Sequence, residues 1–443
     1  MINSEKVIDW FAMALTALLY ASFTIFQLIS GGRYVFITLA AAVLLLKSRG
    51  RAALELNPYY LFNIALIIYA AASSLWAWDS YYSLELAKRM LDTFLCSVLI
   101  YMAYQEDRSP SQLTLSCKLG GYIVMLYTIM YFGPRQLLLM LLNEVRVEGN
   151  IANSNTLGMV IAYSCVFEFL EIAQKKRLTW TFPLLFPSLI VIAATQSRKS
   201  LLIVAAGFIM TACYYAFNPR QKIRSILRIA FFALLAVYMV ISLQHIPVFS
   251  GIVSRMTLII NFLNGNVGVG YSIRERSQMI QLGMEQFLKT PVGGIGFGNA
   301  VVLTSRYNDV IYTYLHNNFV ELLCCGGLIG FILYYSRYIY IFWMMMKNIQ
   351  YKNPDFVTCG ILAIIIIVMD YGFVSYYDKM MQVFHVLMFL QVHAIARKED
   401  ISEKMPAPLM CKYIRNTELC GQELAAQQAG LQKARPASYL KKR

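Results

Sequence analysis

Long, nearly uninterrupted apolar runs dominate this chain of 443 residues. Several of them approach or exceed the about 20 residues that an α-helix needs to cross the hydrocarbon core of a bilayer. Only 14% of the residues are charged, whereas soluble domains spend about a quarter of their residues on charge. This pattern excludes a water-soluble enzyme and predicts an all-α polytopic membrane protein.

Twelve of the apolar runs are predicted to form transmembrane helices. They lie near residues 9–30, 34–47, 59–77, 90–105, 115–132, 155–173, 180–196, 199–217, 226–244, 316–346, 356–374 and 380–396. The first run is too long for a signal peptide and lacks its cleavage pattern, so we expect it to be retained. The sequence thus predicts a membrane domain over residues 1–396. A basic tail at residues 397–443 is expected to be partly disordered and attracted to anionic lipid.

The distribution of Lys and Arg predicts the orientation of these helices. With the N-terminus inside, 25 of the 39 basic residues fall on inner segments and 13 on outer ones. Because basic residues favour the cytoplasmic side, both termini are predicted to be cytoplasmic. The net charge of +15 therefore reflects membrane orientation and indicates no nucleic-acid partner. One large outer loop results, at about residues 244–315, and it contains a predicted amphipathic helix at residues 277–288.

Arginines on the predicted outer face run against this orientation rule. They include Arg146, Arg198, Arg274 and Arg276. The planar guanidinium binds phosphate through two parallel hydrogen bonds and keeps its charge, so converging arginines would bind a lipid-linked pyrophosphate. Arg198 is the strongest candidate because it lies in a very short link, residues 195–200, between two apolar runs. Contact with lipid headgroups is the alternative for Arg198, and a solvated charge is the simpler interpretation for Arg274 and Arg276 taken alone.

His316 stands where the long loop enters the tenth predicted span, in Y-L-H-N-N-F-V-E-L-L. A histidine at a membrane edge can act as a general base or hold a sugar hydroxyl. The alternative is a polar cluster at a helix N-terminus, with Asn317 or Asn318 as the cap.

Other polar features have structural interpretations. The nine cysteines and four histidines show no zinc-site spacing, and the outer acidic residues are scattered, so metal-independent chemistry is expected. The glycine run at residues 293–298 lacks the spacing of a dinucleotide site and is interpreted as a loop. Gly326 and Gly330 are interpreted as a close helix-packing contact. Arg337 and Asp370, at predicted membrane depth, are expected to line a cavity or to pair with a neighbour.

Four segments, taken in order, resemble the O-antigen ligase and O-antigen polymerase superfamily of bacterial envelope glycosyltransferases. They are R-V-E-G-N-I-A-N-S-N-T-L-G (residues 146–158), T-Q-S-R-K-S-L-L (195–202), R-S-Q-M-I-Q-L-G-M-E-Q-F-L-K-T-P-V-G-G-I-G-F-G-N (276–299) and Y-L-H-N-N-F-V-E-L-L-C-C-G-G-L-I-G (314–330). The resemblance covers about residues 146–332. Each segment alone is weak evidence for the resemblance, whereas the four segments in this order are specific to the superfamily.

The resemblance implies a lipid-dependent glycosyltransferase fold of the GT-C-like type. It implies an active site on the outer face of the bacterial cytoplasmic membrane, where a glycan moves from undecaprenyl pyrophosphate to an acceptor hydroxyl. No metal or cofactor is implied. The implied catalytic residues are Arg198, Arg276 and His316, and the weaker substrate-binding candidates are Arg146, Arg274, Asn155 and Asn317.

Ligases and polymerases of this superfamily share these motifs. The forms G-G-I-G-F-G-N and H-N-N-F-V-E-L-L-C-C-G-G look more like polymerases of capsule and exopolysaccharide, which favours a polymerase that works with a flippase and a chain-length regulator. The alternative within the family is a ligase that transfers finished polymer to lipid A core. The alternative from another class is a transporter for the same lipid-linked glycan, but the sequence shows no inverted repeat.

Overall fold

Apolar helices make up most of the chain that the computed structural model describes. The described residues are 4–25, 32–48, 56–105, 110–143, 145–147, 152–216, 271–307, 313–348 and 354–404. They fall into two units, Met1–Val392 and His393–Arg443, and the features below lie in the first unit.

The helices of the described residues are labelled in chain order. They are α1 (Ser4–Ile25), α2 (Gly32–Ser48), α3 (Pro58–Ala72), α4 (Ser80–Tyr104), α5 (Ser111–Phe132), α6 (Pro134–Leu142), α7 (Ser154–Lys175), α8 (Leu185–Thr195), α9 (Arg198–Ala216), α10 (Tyr271–Lys289), α11 (Ala300–Tyr307), α12 (Asn318–Lys347), α13 (Pro354–Met369) and α14 (Lys379–Lys404). Side-chain caps define several starts: Asn57, Asp79 and Asn153 each accept a backbone N–H of the first turn of α3, α4 and α7. In the first unit α1 packs on α2 and α5, α7 on α5 and α9, and α10 on α12.

These helices confirm the prediction of a multi-pass membrane protein. Within the described part of the chain, five helical segments are long and apolar enough to cross a membrane. They are Val7–Ile25, Pro58–Leu75, Ser111–Phe132, Ser154–Lys175 and Asn318–Lys347. The ninth predicted span, residues 226–244, lies outside the described residues, and the number twelve stays a prediction. The amphipathic helix predicted within the long loop is contained in α10.

The longest helix, α12, is broken at Gly327, whose backbone is not helical (φ 62°, ψ −166°). The break exposes the carbonyls of Cys324 and Cys325, which accept the backbone N–H groups of Ile295 (3.0 Å) and Gly296 (2.9 Å). The ring of Phe297 lies against α12, where a Cβ added at Gly326 would come within 2.8 Å of it. The glycine run is thus a packed loop that uses its N–H groups within the protein, and the G-x-x-x-G of α12 packs against that loop.

Arg337 and Asp370, the two charged residues predicted to lie within the membrane, form hydrogen bonds with neighbouring residues. Arg337 is 1% exposed, and its Nε donates to the Tyr334 carbonyl (3.0 Å). Asp370 accepts hydrogen bonds from Asn318 (3.2 Å) and Tyr335 (2.8 Å). The hydrogen bonds of Asp370 connect α12 to the end of α13. The bond from Asn318, the first residue of α12, fixes the position at which this helix begins.

Candidate active site

Arg146 joins two of the motif segments. Its Nε donates to the carbonyl of Thr195 at the end of α8 (3.1 Å), and its Nη2 donates to Asn155 Oδ1 on the first turn of α7 (2.9 Å). The neighbouring backbone is paired as well, because Val147 N donates to Ala194 O (3.1 Å). The start of α7, the end of α8 and the segment around Arg146 therefore form one corner.

The turn between α8 and α9 places Arg198 and Lys199 at this corner. Gln196 adopts the left-handed conformation (φ 50°), which ends α8 and lets α9 begin at Arg198. A Cβ added at Gly158 of α7 would lie 2.8 Å from Thr195 Oγ1, so this glycine permits α7 to approach the turn closely. Arg198 and Lys199 are half-buried at the N-terminus of α9. Two cations beside the positive end of a helix dipole are arranged to receive an anion.

Arg276 reaches the same region from α10. This residue and Gly283 are seven positions apart, so they share one face of the helix. A Cβ added at Gly283 would come within 2.6 Å of both Leu315 and Val320, which shows that this face packs on the start of α12. Arg276 is half-buried.

His316 occupies a strained backbone position just before α12. Its φ is 59°, a left-handed conformation that non-glycine residues rarely adopt. The Tyr314 ring lies 4.2 Å from the imidazole, centroid to centroid. The Nδ1 atom is buried and has no hydrogen-bond partner among the described residues. Burial, with the positive charges of Arg276 and Lys199, lowers the pKa of His316 to about 4, so the imidazole is neutral at pH 7.

Neighbouring side chains hold this strained position. Glu321 is 2% exposed, and its carboxylate accepts the backbone N–H of Leu315 (2.9 Å). Asn317 is the N-cap of α12, with its Oδ1 accepting Val320 N (3.0 Å). The residues on both sides of His316 are therefore fixed, and the imidazole is presented by a rigid support.

The electrostatic interactions show that the basic residues converge. Lys199 is within electrostatic reach of both Arg146 and Arg276, and His316 is within reach of Arg276 and Lys199. Two cations from separate segments, Lys199 and Arg276, thus act on one neutral imidazole, and Arg146 acts on Lys199. Such a site can bind a pyrophosphate and place a hydrogen-bond acceptor beside it. Within the described chain no group of three or more His, Cys, Asp or Glu residues is placed to bind a metal ion.

The predicted site residues are distributed as follows. Arg146, Arg276 and His316 lie at this site together with the N-terminus of α9, which begins with Arg198. Asn155 is the partner of Arg146, and Asn317 is a helix cap. Arg274 lies on α10, and its side chain is outside the described part of the structure.

Sequence reasoning missed Lys199, Tyr314 and Glu321. Lys199 follows Arg198 directly and repeats its charge, which was an available signal. Glu321 is a lone acid in an apolar run, five positions after His316, and a buried acid of that kind requires a partner. Nothing in the sequence distinguishes Tyr314 from the many other tyrosines of the chain.

No curated protein matches the chain. Residues 183–335 match the family model described as O-antigen ligase, and this segment contains Arg198, Arg276 and His316. The family suggests a glycosyltransferase-type activity on lipid-linked glycans in a membrane. This match supports the resemblance of the segment to the O-antigen ligase and O-antigen polymerase superfamily.

Proposed function

We propose that this protein polymerises oligosaccharide repeat units carried on undecaprenyl pyrophosphate into capsular, exopolysaccharide or O-antigen chains. The observation that carries the proposal is the grouping of these charges: Lys199 interacts with Arg146 and Arg276, and the neutral His316 interacts with Arg276 and Lys199. Adjacent cations repel each other, so their grouping is favourable when a multiply charged anion lies between them. A lipid-linked pyrophosphate is such an anion in a membrane protein of this family.

The reaction is a single displacement that inverts the anomeric carbon. The acceptor hydroxyl oxygen forms a bond to the anomeric carbon of the donor while the bond from that carbon to the pyrophosphate oxygen breaks. The electron pair leaves with the pyrophosphate, where Arg198 and Arg276 stabilise the developing charge. His316 accepts the hydrogen bond of the hydroxyl and takes its proton as the new bond forms. No metal ion takes part in this scheme.

The proposal includes the topology expected from the sequence. Twelve helices in a GT-C-like arrangement leave both termini in the cytoplasm and the site on the outer face of the plasma membrane. Acceptor and donor then meet where a flippase delivers them, and a chain-length regulator acts on the growing product. The basic tail lies on the cytoplasmic side.

The test uses the purified protein with undecaprenyl-pyrophosphate-linked repeat units. We expect release of undecaprenyl pyrophosphate together with longer glycan. Arg198→Ala and Arg276→Ala should each abolish both products while the protein still inserts into the membrane. Arg306→Ala is the matched control, because this exposed arginine of the same loop stacks on Trp78 at 4.1 Å. Full activity in either of the first two variants would refute the assignment of the site.

The same assay separates the alternatives. A ligase extends no repeat unit and transfers finished polymer to lipid A core. A transporter moves the lipid-linked substrate without releasing undecaprenyl pyrophosphate.

A further inference from the structure

A cavity of about 400 Å³ lies between α1, α2, α4, α7 and α14. This volume is within the range of about 300–1,000 Å³ that is typical of small-molecule sites. One part of its wall is charged: Glu85, Lys88, Arg89, Asp92, Asp378 and Lys379. Another part is apolar and includes Phe23, Phe36, Ile100 and Val383.

Two wall residues place the cavity beside the candidate active site. Tyr377 lines the cavity, and burial, with the neighbouring Glu321 and Tyr314, raises the pKa of its phenol. Tyr314 in turn packs against His316, with 4.2 Å between the ring centroids. Thr156 also lines the cavity, and the preceding Asn155 is the partner of Arg146.

The charges of the cavity balance in sign. Glu85 and Arg89 approach each other at 3.9 Å, and the ammonium of Lys379 lies 4.1 Å from the centre of the Phe36 ring. Since three acidic residues offset three basic ones, an anion gains little net attraction here. A neutral ligand rich in hydroxyl groups can use both the donors and the acceptors, and the aromatic rings offer a surface for its C–H groups.

We propose that this cavity binds the saccharide of the acceptor substrate and directs its hydroxyl towards His316. The inference rests on the proposed transferase function and adds a separate acceptor site to it. The pyrophosphate of the donor occupies the arginine site, and the balanced charges of the cavity distinguish the sugar from that phosphate.

The kinetic test uses a substitution on α4 that places a bulky side chain in the cavity. Thr93 lines it, is 6% exposed and donates its hydroxyl to the Arg89 carbonyl (2.9 Å). The acceptor probe is labelled oligosaccharide released from the lipid by mild acid, and the donor is the unlabelled lipid-linked repeat unit. Thr93→Phe should raise the KM for the free oligosaccharide at least tenfold and change the donor KM less than twofold. Leu95→Phe is the control, because Leu95 is 46% exposed on the same helix.

A binding test covers the cases in which Thr93→Phe fails to fold or the protein shows no transfer. Lys88→Cys places a thiol on the cavity wall for labelling by a maleimide, with the modified peptide identified by mass spectrometry. We expect the free oligosaccharide to slow this labelling and inorganic phosphate to leave it unchanged. An unchanged acceptor KM in Thr93→Phe, or protection by phosphate alone, would overturn the acceptor-site proposal. Absence of transfer by the wild-type protein, with protection by oligosaccharide intact, would overturn the proposed function instead.

Discussion

Glu321 is expected to act as a positioning residue for His316. Replacement by Leu removes the acceptor of the Leu315 N–H, and a buried unpaired donor costs about 1–3 kcal/mol. The left-handed backbone of His316 stores about 1–3 kcal/mol more, and it persists only while its surroundings impose it. Glu321→Leu should therefore release the strain and let His316 move away from its working position.

A displacement of about 1 Å at a reacting group can lower a rate about 100-fold. We expect Glu321→Leu to reduce kcat for glycan transfer by about this factor, while Glu321→Gln retains most of the activity because its amide oxygen still accepts the N–H. The assay is the initial rate of undecaprenyl pyrophosphate release, with kcat and KM determined separately. Glu285→Leu, an exposed site on α10, should leave both unchanged. Wild-type kcat in Glu321→Leu, or equal losses in the Leu and Gln variants, would refute the positional argument.

Three further predictions concern the imidazole, the glycine loop and a buried ion pair. In the pH profile of kcat/KM, which reports the unliganded enzyme, activity should fall with decreasing pH near 4 because protonation of His316 removes its acceptor; a limb at pH 6.5 would contradict this. Gly294→Ala should lower thermal stability in detergent more than Gly133→Ala. Both glycines have positive φ, which costs Ala about 1–3 kcal/mol, but a Cβ at Gly294 would also lie 2.6 Å from Cys324 O, whereas nothing lies within 4 Å at Gly133. Lys118→Met should destabilise the fold by about 3–5 kcal/mol because it removes the cation that pairs with the buried carboxylate of Glu168; adding Glu168→Gln should recover part of this loss, and no recovery would contradict the pairing.

The positions of the helices follow from local sequence, and their irregularities do not. The predicted span at residues 155–173 is close to α7, which begins where Asn153 caps it. The predicted span at residues 316–346 contains the break at Gly327, which no local pattern indicates. The break is stabilised by hydrogen bonds from the loop at residues 291–296, and that loop lies more than 25 residues earlier in the chain. Interactions between distant segments therefore decide where an apolar helix is interrupted.

The candidate site likewise has features that the local sequence predicts and features that it does not. Arg198 and His316 are candidates because each residue type suits phosphate or hydroxyl chemistry at a predicted membrane edge, and Arg276 is one through the resemblance of its segment. The conformation of His316 is not predictable, since it depends on Glu321 and on the packing of α10 at Gly283. The sequence contains these residues but gives no indication that they act on one another.

Several polar residues of the motif segments make hydrogen bonds within the protein. Asn155 binds Arg146, Asn317 caps α12, and Asn299 donates to the carbonyl of Asp79 (3.1 Å). These contacts fix the backbone of the segments in which they lie. What a segment adds towards the substrate is one or two groups, such as the guanidinium of Arg276. Since no segment alone presents the whole set, the site requires all the segments in their places.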